Sequence, residues 1–478
     1  MVLTWIDYVV IGGYLLAITA FGSYFARFQK TTRDYFLTGQ SVPWWAICFT
    51  IVATETSTLT FIGVPATAFG GNMTFLQLVF GYVIGRVLIS LLFIPAYFRG
   101  ELFTSYELLQ RRFGARVKNL SASIFLLTRS LADGIRLFAT ALVISVVTHL
   151  DVRLAIVIIG AVMIIYTVRG GASAVIWTDV VQLFVYIAGA VVVFVSLLAL
   201  IPGGWQEVVR TGSEAGKFRV LDFSLLLSRP YTLWAGIVGG IALTLSTHGT
   251  DQFLVQRLLA ARSRREASLG LVLSGVLVLA QFVMFLVIGV MLFTYYQHVP
   301  LPRALARNDE LLPTFIVTAV THGAAGFIVA AIVAAALSPS INAMAATTVN
   351  DFYAKYVRPD ADEAMLMRVS RQWTVIWGLV QIAVALAARW MQQSVLDAGL
   401  AVLSYASGSV LGAFLIGTLA PSIEEGPTFI GMLVGLLVMT VVWNWSSAAF
   451  TWYVFIGSTT TVASAWAAQS LMRRLRPA

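Results

Sequence analysis

The sequence predicts an all-α polytopic membrane protein of about thirteen transmembrane helices with a five-plus-five inverted-repeat core. Three observations carry that prediction. Of the 478 residues, 59% are hydrophobic and only 11% charged, with a mean hydropathy of +0.86, whereas soluble domains carry about 25% charged residues. Apolar stretches of the roughly 20 residues that a helix needs to cross a bilayer recur almost without interruption. Two of these stretches, five spans apart, are broken at their middle or end by hydroxyl and charged residues, the pattern of secondary transporters whose interrupted helices hold ions and solute.

Taken in order, the spans fall near 5–26, 43–70, 73–97, 119–148, 153–170, 175–201, 231–254, 268–295, 315–349, 370–391, 396–420, 427–444 and 449–472. No connection between them is long enough for a soluble domain, and the first span is too long, and lacks the basic start, for a cleavable signal peptide. The single cysteine, Cys48, lies inside a span, so disulfides are no part of the architecture. The net charge of +9 suits loops against an anionic cytoplasmic leaflet and the lipid itself, not nucleic acid. With the amino terminus outside, the inner loops hold 20 Lys and Arg and the outer loops 8. The positive-inside rule therefore predicts a multi-pass protein of the cytoplasmic (inner) membrane with its carboxyl terminus in the cytoplasm.

The second span is the less regular of the broken pair. Between Ile51 and Phe69, Thr54, Thr56, Ser57, Thr58 and Thr60 surround Glu55, and Gly63 and Pro65 follow. Hydroxyls compete for local backbone groups and proline removes a donor, so a weak or broken helix is expected. The seventh is interrupted at Leu245-Ser246-Thr247-His248-Gly249-Thr250-Asp251-Gln252. Pairing the two breaks divides the chain into an extra first helix (5–26), a first repeat (43–201), a second repeat (231–420) and two extra helices (427–472).

Four segments then carry a resemblance: Asp34 to Gln40 (DYFLTGQ), Gly170 to Gln182 (GGASAVIWTDVVQ), Asp251 to Arg257 (DQFLVQR) and Ser340 to Ala346 (SINAMAA). In this order and spacing they resemble signatures of the sodium:solute symporter family, over about residues 5–420. The resemblance implies a symporter that couples sodium influx to uptake of a small organic solute by alternating access. No enzymatic activity and no cofactor beyond the coupling ion are implied.

By the same resemblance, the main sodium site uses backbone carbonyls that fall on Ala53 and Thr56. The family's hydroxyl pair falls on Ala335 and Ala336 when counted back from Asn342, or on Ser338 and Pro339 when aligned on the alanine-rich run. Either way the chain departs from the pattern. Pro339 donates no backbone hydrogen, which frees the carbonyl of Ala335 to replace a hydroxyl. A second site in some members uses an acid matching Asp179, with Ser338 beside it; Asp179 is otherwise an interfacial residue near the inner end of its span.

The other intramembrane charges are candidates for solute binding, because each is costly at mid-helix. Arg129, Asp133 and Arg136 share one helix face, which leaves one positive charge for Glu55 or for a carboxylate-bearing solute to neutralise. Thr58 belongs to the same hydroxyl-rich break. Arg86 reads as a snorkelling residue near a helix end. Asp251 and His248, three residues apart, either relay protons or serve as structure, so proton coupling is the alternative to sodium. Four scattered histidines and no metal-spaced cluster give no support to a membrane enzyme. A sensor of the same fold is the alternative of another class; the chain ends six residues after the last span, short of an output domain. The solute and the oligomeric state are left open.

Overall fold

A computed structural model of the chain describes residues 3–24, 32–100, 102–301, 305, 307–336, 340–391 and 394–475. The described residues form helices joined by turns and irregular connections, with one isolated bridge between Val42 and Ala261. Eight helices among them are long and apolar enough to cross a membrane, or nine if one bent pair is counted as a span.

The elements are α1 (Trp5–Tyr24), α2 (Trp44–Glu55), α3 (Thr58–Gly70), α4 (Leu76–Leu92), α5 (Ala115–Thr148), α6 (Val152–Ile165) and α7 (Gly171–Leu200). They continue with α8 (Gly240–Gly249), α9 (Gln252–Leu259), α10 (Arg264–His298), α11 (Leu311–Ala319), α12 (Ala324–Ala336) and α13 (Ile341–Ala346). Last come α14 (Glu363–Ala388), α15 (Val395–Leu419), α16 (Glu425–Trp445) and α17 (Tyr453–Leu475). A π-helical turn, Ala235–Gly239, leads into α8. Between α6 and α7 the chain kinks at Gly171, whose φ of 57° and ψ of −159° a side chain would not tolerate.

The break between α2 and α3 bends the axes by 61°. Its cause is a capping box and not the proline. Thr56 and Ser57 are extended, Ser57 N–H bonds to Thr60 Oγ1 at 3.3 Å, and the Ser57 side chain caps the new helix. α3 then runs on through Gly63 and Pro65. The second break comes at Thr250 and Asp251, where the Asp251 carboxylate accepts from Phe253 N–H at 2.9 Å and starts α9.

The ninth span differs from expectation. The apolar run is not one helix over 315–349: α11 ends at Ala319, Gly323 turns the chain at φ 82°, and α12 begins afresh. Asp7 of α1 holds that turn, its Oδ1 accepting from Gly323 N–H at 2.7 Å and Gly326 N–H at 2.9 Å.

Packing brings the two breaks together. α10 lies against α2, α3 and α4, and α4 lies against α8. The α4–α8 crossing is made backbone to backbone: a Cβ on Gly81 would sit 2.5 Å from the Gly236 carbonyl oxygen, and one on Gly85 would sit 2.8 Å from Thr244. Small residues permit such an approach inside a membrane, and it delivers Arg86 of α4 to the breaks.

Candidate functional site

A cavity of about 120 Å³ lies between the α2–α3 break, α4, α5, α8 and α15. Its polar wall includes Thr54, Glu55, Ser57, Thr60, Arg129, Asp133, Arg136, Thr244, Thr247 and His248; Phe75, Tyr82, Phe253 and Phe282 supply an aromatic wall.

The break leaves backbone oxygens without their helical donors. Ser57 N–H, the helical partner of the Ala53 carbonyl, goes instead to Thr60 Oγ1. Thr60 N–H, the partner of the Thr56 carbonyl, goes to Ser57 O at 2.9 Å. The Thr56 hydroxyl is occupied, accepting from Gln281 Nε2 at 2.6 Å. Thr58 Oγ1 donates to the Ile332 carbonyl of α12 at 3.1 Å, so the break is tied to the last turn of α12. Ala335 lies in the last described turn of that helix, and Pro339, which has no N–H to offer the Ala335 carbonyl, lies outside the described residues. Ser338 lies outside the described residues.

Asp179 is fully buried, not interfacial. Its Oδ2 accepts from Thr50 Oγ1 at 2.6 Å and from Arg257 Nη2 at 3.0 Å, and Arg257 Nε in turn donates to Thr50 Oγ1 at 3.1 Å. Its Oδ1 takes no hydrogen bond among the described residues. Arg257 is the residue that sequence reasoning missed. It falls just past the seventh span and counts there as loop charge, yet it is 3% exposed on α9. The available signal was its place at the end of the Asp251–Arg257 segment.

Arg86 is likewise fully buried and does not snorkel. It pairs with Glu55, and its Nη2 donates to His248 Nε2 at 3.2 Å. Because arginine only donates, that nitrogen of His248 accepts; Nδ1 carries the hydrogen and bonds to Thr247 Oγ1 at 2.9 Å. Thr247 Oγ1 donates in turn to the Leu243 carbonyl at 2.9 Å.

Arg129 pairs with Asp251 and lies 3.6 Å from Asp133. Arg136 Nη2 donates to the Thr54 carbonyl at 2.7 Å. The ring of Phe253 carries Arg129 at 4.7 Å and Arg257 at 4.4 Å, joining the cavity wall to the Asp179 cluster. Asp251 thus supplies a negative charge against the positive one that the fourth span alone leaves over. Glu55, Arg136 and His248 line the cavity; Asp251 stands behind Arg129, and Thr58 faces Thr140 and Ile332. His248 and Asp251 turn to different partners and do not form a relay pair.

Comparison with known proteins places this arrangement. Residues 35–435 match the sodium:solute symporter family. The sodium/sialic acid symporter SiaT of Proteus mirabilis is 30% identical over 96% of this chain and 93% of that protein. The human sodium-coupled monocarboxylate transporter 1 is 29% identical over 90% of this chain and 72% of its own. The solved substrate-bound, outward-open state of a Na⁺-coupled sialic acid symporter has a TM-score of 0.91, with 29% identity and 98% of each chain covered. Mhp1, a nucleobase-cation-symport-1 family transporter in a closed conformation, shares the fold alone, with a TM-score of 0.57 at 12% identity over 91% of this chain and 95% of that one. The all-helical fold with a five-plus-five core and broken second and seventh spans is therefore that of a polytopic membrane transporter. The match runs through both breaks and everything between them: the chain belongs to the sodium:solute symporter family, as a sodium-driven secondary transporter and not an enzyme.

Proposed function

We propose that the solute is a small organic molecule bearing a carboxylate, bound in the cavity with its acid group toward Arg136. The observation that carries this reading is a cavity-lining guanidinium whose donor on the Thr54 side is met by a carbonyl dipole, beside hydroxyls of Ser57, Thr60, Thr244 and Thr247 suited to neutral oxygens. The names of the relatives point the same way, to sialic acid, monocarboxylates and, in the human sodium/iodide cotransporter, an inorganic anion. Glu55 and His248 also line the cavity, with Arg86 behind them, while Asp251 and Thr58 act as positioning residues, the first on Arg129 and the second on α12.

For the coupling ion, the reading uses the carbonyls of Ala53, Thr56 and Ala335, with Asp179 and Ser338 as the charged and hydroxyl contributors. Sodium is a hard cation that requires several oxygens, and broken helices are where membrane transporters find them. The two repeats are assigned to 43–201 and 231–420 around these breaks. Proteoliposomes under an inward sodium gradient test the solute class. Uptake should be inhibited by monocarboxylates or acidic sugars and not by the corresponding neutral sugars; equal competition by neutral sugars refutes the carboxylate reading. Uptake that persists with choline in place of sodium and follows a proton gradient refutes the cation site.

The same reading places the amino terminus outside. Arg112 donates to the Pro421 and Ile423 carbonyls and Arg473 to that of Ser422, which gathers basic loops at one end of the molecule. Single cysteines at exposed positions of the 98–118 and 257–267 loops, in a Cys48→Ser background, are expected to resist an impermeant thiol reagent in intact cells. Ready labelling of either loop overturns the orientation.

A further inference from the structure

Away from the central cavity, a groove of about 520 Å³ opens where the inner end of the third span meets the short helix Tyr106–Arg112 and the end of α15. Its upper wall is apolar, from Leu91, Leu92, Leu109 and Phe414, and its lower wall carries Arg99, Arg111 and Arg112. No carboxylate is among the described lining residues; Glu107, one turn before Arg111 on the same short helix, interacts with it electrostatically from outside the groove. Leu91 and Leu419 at its rim are 66% and 60% exposed, so the groove opens onto the face that acyl chains cover.

The three cations are held close by the backbone. Arg111 packs across Gly100, next to Arg99, so tightly that a Cβ on Gly100 would lie 2.7 Å from Arg111 Nη1. Arg112 is fixed between the Pro421 and Ile423 carbonyls at 2.6 and 3.0 Å. Like charges gathered at the edge of a hydrocarbon slab, with an apolar slot directly above, match one kind of molecule: an anion that ends in hydrocarbon. Basic pockets between transmembrane helices on the cytoplasmic side bind anionic lipid headgroups for this reason.

We infer that this groove is a binding site for an anionic phospholipid, with its phosphate at Arg99 and Arg111 and an acyl chain along Leu91, Leu92 and Leu419. The site lies outside the solute cavity and is independent of which solute is carried. Each arginine contributes about fivefold in affinity, so Arg99→Gln with Arg111→Gln removes about 30-fold. Arg112 stays intact because it holds the loop after α15.

The test is native mass spectrometry and thermal shift of the purified full chain titrated with phosphatidylglycerol, phosphatidylcholine and glycerol phosphate. Phosphatidylglycerol should be retained and stabilise the protein, and the Arg99→Gln, Arg111→Gln variant should lose that effect. Arg264→Gln with Arg265→Gln, exposed basic residues elsewhere on the cytoplasmic end, should keep it. Equal retention of phosphatidylcholine overturns the proposal. So does an equal loss in the Arg264, Arg265 control, which would indicate diffuse surface charge. Stabilisation by glycerol phosphate alone, equal to that by the lipid, also overturns it, since the site would then take a free anion.

Discussion

Asp179→Asn should abolish sodium-stimulated uptake and lower stability by about 3–5 kcal/mol, the cost of orphaning one member of a buried ion pair. Arg257 is the member left behind: it is 3% exposed, and its Nε and Nη1 also donate to Thr50 Oγ1 and to the Phe253 carbonyl, the latter at 2.6 Å. Adding Arg257→Gln removes the stranded charge, so the double variant should regain most of the lost stability while sodium stimulation stays absent. Denaturation in detergent gives the first quantity and proteoliposome uptake the second. A double variant whose stability loss equals the sum of the two singles disproves the pairing. Undiminished sodium-driven uptake in Asp179→Asn disproves the role in ion binding, even in a protein driven by sodium.

Arg136→Gln is expected to act on the solute instead. Truncating one partner of a desolvated charge-assisted contact costs about 2–5 kcal/mol, which corresponds to a rise in KM from about 30-fold to several-thousand-fold. The fold should survive, because the partner left behind at Thr54 is a neutral carbonyl and not a stranded charge. If Arg136 merely balances Asp133, the same substitution lowers stability, and Asp133→Asn restores it. A cycle over the two positions separates these cases, and unchanged transport by the single variant disproves both.

How far the sequence was legible depended on whether the signal was local. The α2–α3 break was readable, because Ser57 and Thr60 form their capping box within four residues. The reason first assigned to Pro65 was a different matter: α3 absorbs the proline, and the Pro65 carbonyl is met by the backbone of α10 at Gly289. The seventh break was readable from Thr250-Asp251, since aspartate caps the helix that follows. What could not be read was anything decided by crossing helices. Arg86 is buried because α4 and α8 meet at glycines, Arg257 because α9 packs beneath α2, and Lys118 because it reaches Asp351 from another element. The α11–α12 turn escaped notice because its flanks are equally apolar and its determinant, Asp7, lies more than 300 residues away. The solute residues fared between these extremes: the residue types were visible, but which of them share a wall was set by packing.

The buried charges around the cavity have an electrical consequence. Glu55, Asp133, Asp179 and Asp251 face Arg86, Arg129, Arg136 and Arg257, four against four when all are ionised. An unloaded carrier built this way reorients without dragging net charge through the field, so voltage does no work on the return step. One sodium with one monovalent acid keeps the loaded carrier neutral as well. Every additional sodium moves an elementary charge through the potential, worth about 2.3 kcal/mol per 100 mV. The current that accompanies transport therefore reports the stoichiometry directly: silence for one ion per acid, and inward current in proportion to each ion beyond it.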